Sequence, residues 1–356
     1  MKKLRIFVLV LALALVAAAC GGDDAETTTT ADESAAETTT TEAGEETTTT
    51  EGSEETTTTA PPSDEPFRVA IVAPSPSNDL AFTQSIVDAA NMLLDSGLVT
   101  EVAVTDGTFV VEDAAVAIRG YADDGYDLVI AHGSQYGGSL QEIAPDFPET
   151  AFAWGTAADT FGLANVYAYE AASDQGGHVM GIMAAALSQS GNVGIVGPIE
   201  VGDAKLYVDG FKDGVLTQNS AAEVPVVYTG SFGDVALAAE TAQSLIGNGA
   251  DVLSGTAQMV VGAVGVAKTE GVLWFGTQAN QTSLAPEIVV ASQVYHWEHI
   301  LEEIVNNAKG GTLGGQIFSI TFANDGLVIE YNEDFDLPDD VKQLGEDAIQ
   351  AFKDAG

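Results

Sequence analysis

The residues able to do chemistry in this chain sit in short polar loops, each following a run of apolar residues. Asp79, Phe82 and Gln84 follow Phe67–Ala73, and His132-Gly133-Ser134 follows Asp127–Ala131. Phe232 and Asp234 follow Val224–Thr229, Gln258 follows Asp251–Ser254, and Gln278 and Asn280 follow Val272–Gly276. Trp154, Tyr169, Tyr295 and Trp297 either line the same gap or cover a hinge. Amides, hydroxyls and a few carboxylates, mixed with aromatic rings, suit an uncharged ligand rich in hydroxyls. Side-chain oxygens would take its hydroxyl groups and an aromatic face its flat ring, with about 1–3 kcal/mol for a stacked base. Asp79 and Asp234 have a second reading as helix caps, because Asp is a preferred capping residue.

Catalytic readings fail on spacing. Ser134 lies beside His132, but a nucleophile elbow needs Gly-x-Ser-x-Gly after a strand, and Ala131 through Gly137 lacks it. Gly194-Ile195-Val196-Gly197 has neither the glycine spacing nor the acidic partner of a dinucleotide site. His296 and His299 are spaced for one helix face, yet the chain has only four His and one Cys. No catalytic residue, metal or cofactor is therefore expected.

The elements that would position these loops alternate along the chain. Phe67–Ala73, Val102–Val104, Asp127–Ala131, Ala151–Trp154 and Asn165–Tyr169 read as strands, with a helix over Phe82–Leu94 and another near Leu140. A helix rich in small residues runs from about Asp174 to Gln189. Asn192–Gly197 then opens a second set: helix 203–216, strand Val224–Thr229, helix 234–247, strand Asp251–Ser254, helix 258–269 and strand Val272–Gly276. Strand Ile288–Gln293, helix Trp297–Ala308, strands near Ile317–Thr321 and Leu327–Tyr331, and a helix from Asp339 complete it. Continuous apolar strands separated by helices predict parallel sheets covered on both faces. Two such sets predict an α/β chain of two doubly wound lobes joined by a hinge. Ligands of such sheets bind beyond the carboxyl ends of the strands, where the strand order switches.

The amino end has a different character. Lys2, Lys3 and Arg5, an apolar run from Ile6 to Val16, and Ala17-Ala18-Ala19 precede Cys20-Gly21-Gly22. This reads as a secretory signal over residues 1–19 with small residues at the cut. The cysteine placed first in the mature chain resembles a bacterial lipobox, which implies acylation of Cys20; Ala17 departs from the usual Leu. Residues 21–65 hold fourteen Asp and Glu and four runs of Thr, with no Lys, Arg, aromatic, Leu, Ile or Val. With Cys20 they are predicted to form a lipidated, disordered tether spanning 20–65. Residues 66–356 carry eight Lys and Arg against 39 Asp and Glu, a net charge of −31. Such a surface repels nucleic acid, which is excluded as a partner.

The ordered set of motifs resembles the basic membrane protein family, the PnrA-like solute-binding lipoproteins of ABC importers. Its marks are Asp79-x-x-Phe82-x-Gln84, the Gly176-Gly177…Gly181 helix leading into Gly191–Gly197, Phe211-x-x-Gly214, Gly230-Ser231-Phe232-x-Asp234, Gly249–Val252 and Gly276–Gln281. The resemblance implies a type I periplasmic-binding-protein-like fold that holds a purine nucleoside between its lobes. Asp79 and Phe82 would contact base or sugar from the first lobe, and Phe232 would stack from the second. Ser134, Trp154, Asp234, Gln258, Gln278, Asn280 and Trp297 complete the expected set. The family often has Asp where this chain has Gln278 and Asn280, so carboxylates able to grip a ribose diol are missing there. The implied partners are an ABC permease, its ATPase and the membrane, reached through a lipid anchor on the extracytoplasmic face. A sensing lipoprotein without transport, a binder of another hydroxylated metabolite such as a sugar, and a surface structural protein are the rival readings. The expected partition is 66–170 plus about 280–318 for the first lobe, and 171–279 plus about 319–356 for the second.

Overall fold

The computed structural model describes residues 66–356; the expectations for Cys20, the signal and the tether lie outside the described residues. The first set comprises β1 (Arg68–Val72), α1 (Phe82–Asp95), β2 (Glu101–Thr105), α2 (Val111–Asp123), β3 (Leu128–His132), α3 (Gly137–Ile143), β4 (Ala151–Gly155) and β5 (Val166–Ala171). The second comprises α4 (Ser173–Leu187), β6 (Val193–Gly197), α5 (Gly202–Gln218), β7 (Val226–Tyr228), α6 (Val235–Gly247), β8 (Val252–Gly255), α7 (Val260–Glu270), β9 (Leu273–Gln278) and β10 (Val289–Tyr295). After these come α8 (Glu298–Lys309), β11 (Ile317–Ile320), β12 (Leu327–Tyr331) and α9 (Asp339–Ala355). Among the described residues no helix is long and apolar enough to cross a membrane.

Two six-stranded sheets result, ordered β11-β5-β4-β3-β1-β2 and β12-β10-β9-β8-β6-β7. The orders are the same, so each half winds outward both ways from one switch point, between β1 and β3 and between β6 and β8. The central strands β3 and β6 are buried at every residue, as their unbroken apolar character requires when helices cover both faces. The final strand departs from expectation: β12 pairs with β10 antiparallel, Ser292 opposite Glu330, because the chain enters it through the short 321–326 turn rather than a crossover helix.

The helix α2 was not legible. Its buried stripe is only Ala114, Ile118 and Ala122, too thin an apolar signal to separate from a loop. The small-residue helix, by contrast, has a clear reason. A side-chain carbon on Gly181 would lie 2.2 Å from the Phe211 carbonyl oxygen, and one on Gly214 2.0 Å from that of His178. Glycine on both helices lets α4 and α5 touch backbone to backbone.

Three crossings join the lobes: β5 to α4, β10 to α8, and β11 to β12. The expected segment of about 280–318 for the first lobe is corrected at its start. β10 pairs in parallel with β9 and so lies in the second sheet, and the chain returns to the first lobe only at His296-Trp297. β11 pairs with β5 through Ile320, which moves the far limit beyond 318.

Candidate functional site

A cleft enclosing about 430 Å³ of empty space, part of it open to solvent, lies between the two sheets. Its walls come from the carboxyl ends of four strands of each sheet. The first lobe contributes Pro74 and Phe82 after β1, Phe109 after β2, Ser134 and Gln135 after β3, and Thr156 after β4. The second contributes Asp203 after β6, Phe232 after β7, Ala257 and Gln258 after β8, and Gln278 at the end of β9. None of the lining residues is Lys, Arg or His.

The lobes meet beside it. A side-chain carbon on Gly233 would fall 2.9 Å from the Phe109 ring, and one on Gly202 3.4 Å from the Thr156 carbonyl oxygen. Three lining residues hold left-handed backbone despite having side chains: Thr156 (φ 57°), Ala257 (φ 76°) and Gln278 (φ 73°). Each such residue costs on the order of 1 kcal/mol or more, and strain of this kind collects where function demands a shape.

Of the sequence-predicted residues, Phe82, Ser134, Phe232, Gln258 and Gln278 are brought together on the cavity wall. Asp79 is not among them. Its carboxylate accepts from Ala81 N (2.9 Å), Gln84 N (3.1 Å), Thr83 N (3.2 Å) and Ser75 Oγ (2.7 Å). It therefore ties the turn that starts α1 and presents Phe82, the capping role. Asp234 is likewise consumed as a cap, accepting from Leu237 N at 2.9 Å.

Trp154 stands behind the wall, its Nε1 donating to Gly133 O at 3.1 Å and its ring stacked on Phe161. Gln84 and Asn280 line a separate hollow with His296 and Glu330; Asn280 is exposed and donates to Glu330 at 2.6 Å. Trp297 is fully buried at the second crossing, where its Nε1 donates to Ser85 Oγ at 2.9 Å and its ring meets Tyr169 and Tyr295 edge to face. It covers the hinge. His296, Glu298 and His299 bring potential ligand atoms within 4.8 Å of one another, but Glu298 already bonds His296 Nδ1 at 2.7 Å.

Phe109, Thr156 and Asp203 are wall residues that sequence reasoning missed. Asp203 differs most from its surroundings. It is 4% exposed, and neither carboxylate oxygen has a hydrogen-bond partner. Burial, with the nearby charge of Glu170, pushes its pKa well above the usual carboxylate range; the amides of Ala171 and Asp203 pull weakly the other way. Gln258 Oε1 and Gln278 Oε1 are also buried without partners.

Comparison with known proteins agrees with this architecture. A purine-binding protein of Brucella abortus (strain 2308) is 25% identical over 292 residues, covering 82% of this chain and 82% of that protein. The transcriptional activator protein med of Bacillus subtilis (strain 168) is 26% identical over 253 residues, 70% of this chain and 77% of that one. The crystal structure of an ABC transporter solute-binding protein from Aeropyrum pernix K1 superposes with a TM-score of 0.68 at 21% identity, covering 82% of this chain and 86% of that one. Residues 67–350 match the family described as ABC transporter substrate-binding protein, PnrA-like, a family of binding proteins rather than enzymes. A two-lobed α/β chain with a cavity free of cationic side chains at its strand ends, matched over nearly all of its described length, belongs to the PnrA-like family of ABC transporter substrate-binding proteins.

Proposed function

We propose that this protein captures a purine nucleoside or a closely similar uncharged metabolite between its lobes and delivers it to an ABC permease and its ATPase. The observation that carries the reading is the placing of Phe82 and Phe232, one from each lobe, on the wall of one cavity that has no cationic side chain. Aromatic faces suit a flat heterocycle, while the absence of Lys and Arg disfavours a phosphorylated one. The name of the Brucella relative supports a purine cargo. Phe82 and Phe232 sit on different lobes, so a ligand touching both favours closure by as much as its extra affinity for the closed state. The lipobox-like sequence at Cys20 supports anchoring on the extracytoplasmic face through an acyl chain.

Calorimetric titration of the purified protein with adenosine, guanosine and inosine tests the cargo. Saturable binding of at least one is expected, and no heat from any of them would reject the nucleoside reading. For the anchor, Cys20→Ser should release the protein into the medium; membrane retention of that variant would count against acylation.

A further inference from the structure

We infer that His296, Glu298 and His299 form a binding site for one divalent transition-metal ion of the zinc class, at the second crossing between the lobes. The site is separate from the ligand cavity and does not depend on the cargo. The spacing of the two histidines alone did not call for a metal; the fold adds a carboxylate and a fixed backbone. Each of the three side chains offers one ligand atom, and these atoms all lie within 4.8 Å of one another. Two imidazoles and a carboxylate suit Zn²⁺, Co²⁺ or Ni²⁺, whereas Ca²⁺ and Mg²⁺ prefer oxygen ligands.

The crossing holds these groups from behind. Trp297 is fully buried and donates from Nε1 to Ser85 Oγ at 2.9 Å. The backbone amide of His296 donates to Gly326 O at 2.8 Å. With the chain pinned on both sides, His296 and Glu298 are half-buried and His299 is exposed. The bond between His296 Nδ1 and Glu298 Oε1, 2.7 Å long, marks the place a cation would take. A metal ion replaces the proton shared there, and the proton leaves to solvent. Tetrahedral zinc with bonds near 2.1 Å keeps its ligand atoms about 3.4 Å apart. Nδ1 and Oε1 therefore part slightly, and His299, with its ring centroid 6.3 Å from that of His296, swings in. An exposed side chain can do so by changing rotamer.

The surroundings favour positive charge. The hollow beside the cluster is lined by the carboxylates of Asp88, Glu298 and Glu330 and by no Lys or Arg. Asp88 comes from α1 of the first lobe and Glu330 from β12 of the second, so the ion would sit where the two lobes meet. The hollow also leaves room for a water in the fourth ligand position.

The test uses the full chain, purified without a histidine tag, stripped of metal with EDTA and titrated with Co²⁺ and Zn²⁺. Expected are saturation at one equivalent, visible Co²⁺ absorption of four-coordinate character, and loss of that absorption when Zn²⁺ is added. His296→Ala and His299→Ala should each weaken binding roughly tenfold or more. His178→Ala, which removes the histidine paired with Asp213, should leave it unchanged. Without metal, His299→Ala should melt with the parent because that side chain is exposed, so lost binding there is not lost folding. No saturable Zn²⁺ binding by the parent would overturn the inference, as would displacement of Zn²⁺ by an equal concentration of Mg²⁺. Affinity that survives both histidine substitutions would also overturn it, because the ion would then be held elsewhere, by Cys20 or by the acidic residues that follow it.

Discussion

The ring of Phe82 lies flat on the imidazole of His132, centroids 3.9 Å apart and planes 18° from parallel. Phe82 lines the cavity, so His132 backs the ring that, in the proposed function, stacks on the ligand. His132 is itself held on both sides. The Phe82 carbonyl can only accept, so Nε2–H donates to it at 3.2 Å, and Nδ1 accepts from the Tyr169 hydroxyl at 2.7 Å. Tyr169 in turn meets Trp297 at the second crossing, with centroids 5.2 Å apart. One packed chain of rings thus runs from the cavity wall to the hinge.

Phe232 gives the cleaner test of stacking, because it is half-buried and supports no comparable cluster. Phe232→Ala is expected to weaken nucleoside binding by roughly 5- to 150-fold, the worth of about 1–3 kcal/mol for a stacked base. Its melting temperature without ligand should stay close to the parent's. Unchanged affinity by calorimetry would remove Phe232 from the site.

His132 also predicts a dependence of stability on pH. Complete burial pushes its pKa down to about 3, from the 6.5 expected of an exposed imidazole. At pH 7 neither the folded nor the unfolded chain holds a proton there, so nothing is lost. Below about 6.5 the unfolded chain binds a proton that the folded one refuses, so stability falls as pH drops, until about pH 3. This site should contribute a slope of about 1.4 kcal/mol per pH unit within that window. Denaturant titrations of ligand-free protein between pH 4 and 7 should show a steeper decline than those of His132→Phe; parallel curves would mean the imidazole is charged in the fold.

The part of the candidate site that could be read from the sequence follows one rule, that residues lining the cavity gather at strand ends. Phe82, Ser134, Phe232, Gln258 and Gln278 lie in loops where several polar or aromatic residues cluster, and the rule finds them. Phe109, Thr156 and Asp203 obey it too: Phe109 follows the polar run Asp106-Gly107-Thr108, which marks its loop as clearly as the others, while Thr156 and Asp203 stand among Gly, Ala and Val with less to mark them. Asp203 is further disguised, because an acid in the first turn of a helix is ordinary surface chemistry that complements the helix dipole. Its burial is a tertiary fact, made by the neighbouring lobe. Asp79 and Asp234 show the reverse ambiguity: one residue type serves as cap or ligand, and only the amides around it decide. The fold was more legible than the site, because unbroken apolar strands demand cover on both faces. The antiparallel β12 escaped that logic because pairing direction is set by a turn and not by the strand's own residues.

The approach of α4 to α5 leaves no room for a methyl group. Gly181→Ala and Gly214→Ala would each place a carbon within 2.2 Å of a carbonyl oxygen on the partner helix, where no flexible side chain can yield. Each substitution should cost at least the 1–3 kcal/mol typical of overpacking. Because α5 begins at Gly202, beside Asp203, a shift of that helix should also weaken ligand binding. Gly265→Ala on α7 meets no atom within 4 Å and should leave both quantities unchanged. Chemical denaturation of the three variants separates the cases, and equal midpoints would show that the helices can part without loss.

Asp251 fastens the far end of α4. Its carboxylate accepts from Ser188 Oγ at 2.6 Å, Gln189 N at 2.7 Å and Ser190 N at 2.8 Å, tying the helix end to the residue that precedes β8. Burial opposes the charge, but these donors outweigh it and hold the carboxyl below its usual pKa. Stability from a depressed carboxyl is fully present above the unfolded value near 4 and is lost as pH falls through the lower folded value. Asp251→Ala leaves the donors unpaired and should cost about 1–3 kcal/mol at pH 7. Asp251→Asn keeps one acceptor and should cost less. Both should flatten the decline in stability below pH 4, an acid limb that His132→Phe leaves in place. If the alanine variant matches the parent from pH 3 to 7, the donors find water equally well and the clasp contributes nothing.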